Sequence, residues 1–584
     1  MDVRSSIYIL LGCILWLIAL PASSQEPARP LITIDFKNTP LRQALSDVNT
    51  FDRVKLSYNP DHIPADRVVN ESFQQVPLDL VLKKMLGANF DIKYRGSYII
   101  IQPKKEEVKK HPVKLSGAVK DAETGAVIPD VTIYEINKLN ATLTDTRGQF
   151  DLTVSAKTDY VTFAISRENY QDTIIQVQDI SEMTLALQPI KKEKTSVKDR
   201  FEIETKKLVQ FFTSDESQKN ARNVRMDEER IWQVSLVPMI GSNGKLSGQV
   251  RNKISVNVLA GYAYGVNGVE LGGLYNIGRR EMNGLQMAGF GNAVGGASHG
   301  VQLAGFINTT KGYTHGVQAA GFLNVVTDDV KGVQAAGFVN ISNKVNGVQA
   351  AGFVNLATKE MNGLQAAGFL NSAKTVQGAQ VSGFLNKSKA TRGAQISGFL
   401  NVTKTLKGMQ LGIVNISDTV SSGTPIGLIN IVRSGMHQFA AEHNDFMPYQ
   451  VAFRSGIYRF YTVLSAGIDP SNNNLWSYGV GFGSQFTIRP KWYGNVELAA
   501  HNIEQPDRNA DDLNLLNRLN LNVGYQIGKH LSVNAGPVLN LYLTKIYHAD
   551  TDTYGDLDHP SFYESTQGDL HLSAWVGYAV SVRF

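Results

Sequence analysis

The sequence predicts a multidomain, mainly β protein with a small α+β N-terminal domain, a β-sandwich, an array of short β repeats and a C-terminal antiparallel β-barrel. Two observations carry most of this. A nine-residue unit, Gly-Val-Gln-Ala-Ala-Gly-Phe-Val-Asn at 332–340, recurs eleven times between Gly268 and Asn430, with its first Gly at 268, 284, 300, 316, 332, 347, 363, 378, 393, 408 and 423. A fixed short period means stacked units, each covering its neighbour, and no single copy then serves as an active site. After residue 436 the chain alternates strictly, as in Leu519-Asn520-Leu521-Asn522-Val523-Gly524-Tyr525-Gln526-Ile527. That is the period of strands whose two faces meet different surroundings.

At the N-terminus, Arg4 precedes an apolar run from Ile7 to Leu20 and the small residues Pro21-Ala22-Ser23-Ser24. This reads as a secretory signal over 1–24, with cleavage near Ser24/Gln25. Leu10-Leu11-Gly12-Cys13 is the alternative of a lipoprotein box, but a cut there leaves Ile14 to Leu20 on the product. Cys13 is the only cysteine, so a chain cut after Ser24 carries no disulfide, thiolate metal site or cysteine nucleophile. A net charge of +5 over 584 residues gives no nucleic-acid signal. No later stretch is a long uncharged apolar run, so a membrane-embedded part has to be a β-barrel.

Residues 31–104 alternate strands and helices. Ile32 to Phe36 reads as a strand, Asn38-Thr39-Pro40 as a cap and first helical turn, and Leu41, Leu45 and Val48 as one helix face. Pro77 opens a second helix with Leu78, Val81, Leu82 and Met85 on one face, which Gly87 ends. Phe90–Tyr94 and Tyr98–Ile101 read as a hairpin around Arg95-Gly96. This segment resembles the secretin/TonB short N-terminal domain through Ile34-Asp35-Phe36, Pro40-Leu41-Ala44-Leu45, Val76-Pro77-Leu78, Leu82, Leu86 and Tyr98-Ile99-Ile100. The resemblance implies a periplasmic protein-interaction or signalling module, which in TonB-dependent transducers contacts an anti-sigma regulator. Those transducers continue into a plug domain, and no plug-like sequence follows here.

Residues 112–190 read as all β, with strands at 113–119, 131–134 and 160–165 and turns at Asp121–Gly125 and Asp145–Gly148. The pattern of Gly117, Asp121, Gly125, Asp145, Gly148 and Phe150 resembles the carboxypeptidase regulatory-like module, an Ig-like β-sandwich. The resemblance implies a non-catalytic spacer or docking unit. Residues 191–231 mix both charge signs, from Lys191-Lys192-Glu193-Lys194 to Asp227-Glu228-Glu229-Arg230, and read as a solvated linker with partial helix.

Strands are expected at 232–239 and 254–264, within a stretch 232–266 read as the first of the barrel strands, and then at 436–444, 449–456, 458–468, 476–488, 492–502, 518–527, 531–544 and 571–584. The last strand puts Leu572, Ala574, Val576, Tyr578, Val580, Val582 and Phe584 on one face. Apolar outward and polar or small inward is how outer-membrane-type strands are written, and a terminal Phe584 resembles the C-terminal signal of such barrels. Ten strands over 232–266 and 436–584 make an even number.

The repeats at 268–430 leave two structures open. Repeat Gly to repeat Asn is eight residues in nine copies and seven in the last two, so the strand is constant and the turn absorbs the variation between 15 and 16 residues. In a β-solenoid, Gln302, Gln318, Gln334 and Gln349 form one amide ladder and Asn308, Asn324, Asn340 and Asn355 another. In an antiparallel meander each unit is one barrel strand. Uniform turns, and an apolar face of Ala and Gly that is thin for lipid, favour the solenoid. Extended geometry puts Val333, Ala335, Gly337, Val339 and Ile341 on one side and Gln334, Ala336, Phe338 and Asn340 on the other.

No catalytic constellation or cofactor fingerprint is present. Glu442-His443-Asn444-Asp445 and the acidic loop of Asp550, Asp552, Asp556 and Asp558 with His559 are the weak metal candidates, and the loop lacks the ordered register of a calcium site. The expectation is a non-enzymatic outer-membrane protein in contact with membrane lipid, with a periplasmic protein partner at residues 31–104. The alternative is a transport or signalling component.

Overall fold

The computed structural model describes residues 31–51, 55–64, 66–95, 98–104, 111–190, 203, 206–224, 228–472, 474–505 and 512–584. The expected signal segment, Cys13, Gly96 and most of the residues at 191–205 lie outside them. The chain divides into two compact units, at Tyr313/Thr314.

In the first unit, Leu31–Pro40 pairs antiparallel with Val68–Pro77, and Lys55–Ser57, Tyr98–Pro103 and Phe90–Arg95 form a second sheet. Helices Leu41–Val48 and Leu78–Leu86 start directly after Pro40 and Pro77, whose φ values of −56° and −55° suit a helix entry. The side-chain cap expected from Asn38-Thr39 is not made, because Pro40 occupies the capping position and Asn38 sits at φ 51° in the strand before it. Leu41, Leu45, Val48, Leu78, Val81, Leu82 and Met85 are fully buried on Ile32 and Phe36. Gly87 closes the second helix at φ 83°.

Residues 111–187 form two sheets. Ile180–Leu187, His111–Asp121 and Gln149–Ala156 make one, and Thr173–Val177, Val161–Ser166, Thr132–Glu135 and Ala141–Leu143 the other. Val113, Leu115, Ile133, Phe163 and Ile165 belong to one buried cluster that draws on both. The Asp…Gly turns have a direct cause: Asp121 Oδ1 accepts the Glu123 and Thr124 amides at 2.9 and 2.8 Å, and Gly125 closes the turn at φ 71°.

Two expectations are corrected in this unit. Part of the supposed linker is packed: in helix Asp215–Asn223, Asn220 accepts from Thr132 Oγ1 at 2.9 Å and Asn223 Nδ2 donates to the Asp130 carbonyl at 2.6 Å. Strands in 232–266 do not begin an antiparallel barrel. Glu228–Val237, Val250–Asn257 and Gly265–Gly272 pair in parallel, with Val234 beside Val256 and Val256 beside Leu271. They are the first solenoid coils. Their interior is polar, with Gln233, Asn252, Ser255 and Asn257 buried, so they carry the alternation of a barrel strand without being one.

The repeats form β-solenoid coils in both units, which excludes the meander. Each coil lies parallel and in register on the next, so that in the second unit Gly332, Gln334 and Ala335 sit beside Gly347, Gln349 and Ala350. The sixteenth residue is absorbed as a register shift between Ser342 and Lys344 and between Ala357 and Glu360, in the turn as expected. Each coil bends at Gly337-Phe338 and again near Asn343-Lys344. The first bend breaks the expected parity, so Phe338 faces outward although Gln334 and Asn340 face inward. Two glycines per coil are obligatory. Gly363 lies at φ 124°, and a Cβ there would stand 2.1 Å from the Gly347 carbonyl oxygen. At Gly368 it would stand 2.2 Å from the Gly352 carbonyl oxygen.

After Val432 the second unit continues as a large antiparallel sheet. Its eight long strands are Met436–Asn444, Tyr449–Ile457, Phe460–Asp469, Leu475–Arg489, Trp492–Glu504, Asn514–Gln526, Ser532–Thr544 and Leu570–Arg583, paired in chain order, with Tyr563–Gln567 added beside the last. The first and last also pair, Ala440 opposite Arg583. These match the eight expected strands after 436, so the expected ten fall to eight.

Gly363→Ala and Gly368→Ala should each cost on the order of 3 kcal/mol, since backbone cannot move out of an in-register stack. Lys374→Ala on the exposed edge should stay within about 0.5 kcal/mol. Urea unfolding of the full chain followed by far-ultraviolet circular dichroism measures both.

Candidate functional site

The solenoid interior is an amide core. In the second unit the Gln column runs through Gln318, Gln334, Gln349, Gln365, Gln380, Gln395 and Gln410, and the Asn column through Asn324, Asn340, Asn355, Asn371, Asn386, Asn401, Asn415 and Asn430, all fully buried. Gln349 Nε2 donates to Gln334 Oε1 at 2.8 Å, and Gln365 repeats this onto Gln349 at 2.7 Å. Asn340 Nδ2 donates the other way along the stack, to Asn355 Oδ1 at 2.9 Å, and also to the Ala350 carbonyl at 2.6 Å. The two columns therefore carry opposed dipoles. Gln302 and Asn308 hold the same places in the first unit, where Gln302 donates to Gln286 and Asn292 donates to Asn308, each at 2.9 Å. All eight expected ladder residues thus lie in the two columns, and the amides bind one another.

The Gln column of the first unit ends at Glu270. Its carboxylate accepts from Gln286 Nε2 at 2.8 Å and from Asn257 Nδ2 at 3.0 Å. A column that donates toward the N-terminus ends naturally on a group that only accepts. Full burial raises the Glu270 pKa, against the lowering effect of hydrogen bonds from Gln286, Asn257 and Ser255.

The repeat Phe residues mark the outer bend. Phe322, Phe338, Phe353, Phe369, Phe384 and Phe399 stack at centroid distances of 4.9 to 5.1 Å. Each contacts its neighbouring coils, and each is also about 40% exposed (38–41%).

In the C-terminal sheet one face is apolar and exposed, including Val480, Phe482, Leu498, Leu521, Val523, Val576 and Val580. The other is polar and buried. Arg454 donates to Glu497 through Nε at 2.8 Å and Nη2 at 2.7 Å, and to Glu442 at 2.7 Å. Tyr461 donates to Glu497 at 2.8 Å, and Arg583 lies 3.3 Å from it. A second cluster gathers on Asp445, which accepts from Trp575 Nε1 at 2.7 Å and Asn540 Nδ2 at 2.8 Å, with Arg518 at 3.5 Å. Sequence reading named Glu442 and Asp445 only as weak metal candidates and missed Arg454, Glu497 and Arg518. Their one signal was a lone charge at an inward parity position of an otherwise apolar-polar strand.

The weak metal candidates separate. Asp556 is buried and accepts from Asn514 Nδ2 at 2.8 Å, His548 Nε2 at 3.1 Å and Gln505 Nε2 at 3.2 Å. Asp552 accepts from Tyr547 at 2.7 Å, while Asp550 and Asp558 are exposed. Among the described residues no three His, Cys, Asp or Glu side chains group as metal ligands. Glu442 and Asp445 belong to the two clusters above, and His443 Nδ1 is 2.9 Å from the Pro448 carbonyl.

Stability should fall with rising pH through the range in which the buried Glu270 ionises. A carboxyl whose folded pKa is raised favours folding fully only below its unfolded pKa, and stability falls as pH rises from there through the folded pKa. Glu270→Gln should remove that fall, and its added N–H, set against Asn257 Nδ2 or Gln286 Nε2, should leave it less stable than the parent at acid pH. Denaturant midpoints of both proteins across the carboxylate range test this, and parallel curves refute it.

Comparison of the chain with protein-family models, curated proteins and solved structures returns no match.

Proposed function

We propose that this is a non-enzymatic outer-membrane protein, anchored by an eight-stranded barrel and presenting residues 31–104 in the periplasm to a protein partner. One observation carries the reading: the C-terminal sheet has its apolar side chains exposed and its Arg–Glu network buried, with first and last strands paired. Water rewards the opposite arrangement, and hydrocarbon rewards this one. The connections fit as well. Those at 457–460, 489–492 and 526–532 are all short and lie at one end, while the other end carries 444–449 and 469–475 together with the two long connections, 504–514 and 544–570. No helix among the described residues is long and apolar enough to cross a membrane, which bears on helices alone.

A barrel of eight strands leaves an interior that side chains just fill. Arg454, Tyr461, Glu497, Arg518 and Arg583 fill it here, hydrogen-bonded to one another or to their neighbours. That favours an anchor over a solute channel. Residues 31–104 support the docking role through their two strand–Pro–helix cycles around one core, in keeping with the secretin/TonB short N-terminal domain, and residues 111–187 then act as an Ig-like spacer of the carboxypeptidase regulatory-like type.

The expressed full chain should fractionate with outer membranes and resist a carbonate wash. Recovery as a freely soluble periplasmic protein would sink the reading. Leu521→Arg, at mid-strand on the exposed apolar face, should cost about 2–4 kcal/mol of folded stability in lipid. Planar bilayers should show no steady conductance, and a stable open current would return the protein to the channel class.

A further inference from the structure

The solenoid coils of the second unit have the same inverted polarity as the C-terminal sheet. From Val333 and Ala335, around the Phe338 bend, to Val339 and Ile341, every outward side chain is apolar or Gly, while the buried positions are Gln and Asn. Later coils repeat this with Leu364, Val381, Met409 and Leu411. Charge gathers toward the opposite bend, apart from Lys387, which stands in the outward column of Ile341, Leu356 and Val402. At that bend Lys344, Lys359, Lys374, Lys389 and Lys404 recur every 15 residues. Between residues 331 and 407 the chain has eight Lys and one Arg against the single Glu360, which pairs with Lys344 at 3.2 Å. One edge is therefore aromatic and the other basic.

The attachment of this array sets its position. Ser455 and Thr462 are cross-strand partners of opposite parity to Arg454 and Tyr461, so they lie on the apolar outer face of the sheet. Both are nevertheless only 1% exposed. The last coil covers them: Asn430 donates from its amide to Ser455 Oγ at 3.1 Å and from Nδ2 to Thr462 Oγ1 at 2.8 Å, and Thr462 donates to the Gly427 carbonyl at 2.6 Å. The stack thus abuts the outer wall, near the short-turn end.

We infer that the solenoid is itself a membrane-contacting element, lying beside the barrel with its Phe edge in the acyl region of an anionic bilayer and its Lys row at the headgroup phosphates. This rests on the barrel reading above, because the wall that the last coil covers is then the lipid-facing one. Apolar area supplies insertion, and each lysine near an anionic surface favours contact by about fivefold. An in-register stack also leaves no open strand edge along its flanks, so its backbone tolerates lipid contact.

The test uses the full chain with Cys13→Ser, carrying one added cysteine labelled with an environment-sensitive fluorophore and reconstituted with doxyl-acyl lipids. The positions are Phe369→Cys at the edge, Val381→Cys on the flank should the edge variant fold poorly, Val480→Cys on the sheet's outer face, and Leu80→Cys in the N-terminal module. Vesicles are phosphatidylcholine with or without phosphatidylglycerol. Quenching at 369 and 381 as well as 480, but not at 80, supports the inference. Quenching at 480 alone overturns it and leaves the barrel reading intact; quenching at none of them overturns both. Combined replacement of Lys344, Lys359, Lys374, Lys389 and Lys404 by Gln should abolish the extra quenching at 381 that phosphatidylglycerol produces. An unchanged dependence on phosphatidylglycerol refutes the assignment of the row to headgroups.

Discussion

The amide hydrogen bond between like residues of adjacent coils is the interaction on which the repeat region depends. A buried, unpaired side-chain amide costs on the order of 1–3 kcal/mol, and each coil buries two. Parallel, in-register stacking places Gln on Gln and Asn on Asn from coil to coil, until Gln410 meets Pro425 in the last coil. A slip of one residue would set amides against Val or Ala and reverse the two faces at once. The same bonds that remove the penalty therefore specify the register, which hydrophobic packing alone would define weakly on flanks of Val, Ala and Leu.

The remaining features of the coil follow from that register. Coils in contact along their whole length bring the Gly347 carbonyl to where a side chain at residue 363 would begin, so this strand position, like the Gly-Phe bend, is left to Gly. The Asn amide also holds a carbonyl of the next coil just before its Gly-Phe bend, which fixes the corner and aligns the Phe rings. A small apolar cluster lies inside next to the basic bend, with Val330, Val345, Met361 and Val376 in one column and Val326, Ala357 and Ala373 beside it. With amides inside, the apolar residues of the repeat have nowhere to go but outward.

That inversion explains both what the sequence disclosed and what it concealed. The repeat period, the amide ladders and the eight strands after 436 were legible because each rests on a local pattern of two or fifteen residues. The strands around Trp232 and Ile254 were assigned to the barrel because a solenoid with a polar interior writes the same alternation as a lipid-facing strand. Alternation reports which side is apolar, and it is silent on whether the neighbour runs parallel or antiparallel. The packing of helix Asp215–Asn223 was hidden by composition, since it is made by Asn220 and Asn223, whose partners lie some ninety residues away in Thr132 and Asp130. The Arg454–Glu497 pair was concealed for the same reason, as each residue is alone in its strand and only the sheet brings them together.

The ends of the amide columns show how such a core is terminated, a matter that repetition leaves open. Each column needs an acceptor at one end and a donor at the other. In the first unit the Gln column closes on Glu270, a side chain with no N–H to satisfy. In the second, the Asn column ends on Asn430, whose amide group finds Thr462 and the Gly427 carbonyl. Thr462 is a polar residue on an otherwise apolar wall, where Phe482 is its neighbour on the next strand. It is accounted for only if a polar chain end rests there. The last coil and that wall therefore complete each other, each supplying the partner whose absence would leave a polar group buried and unpaired.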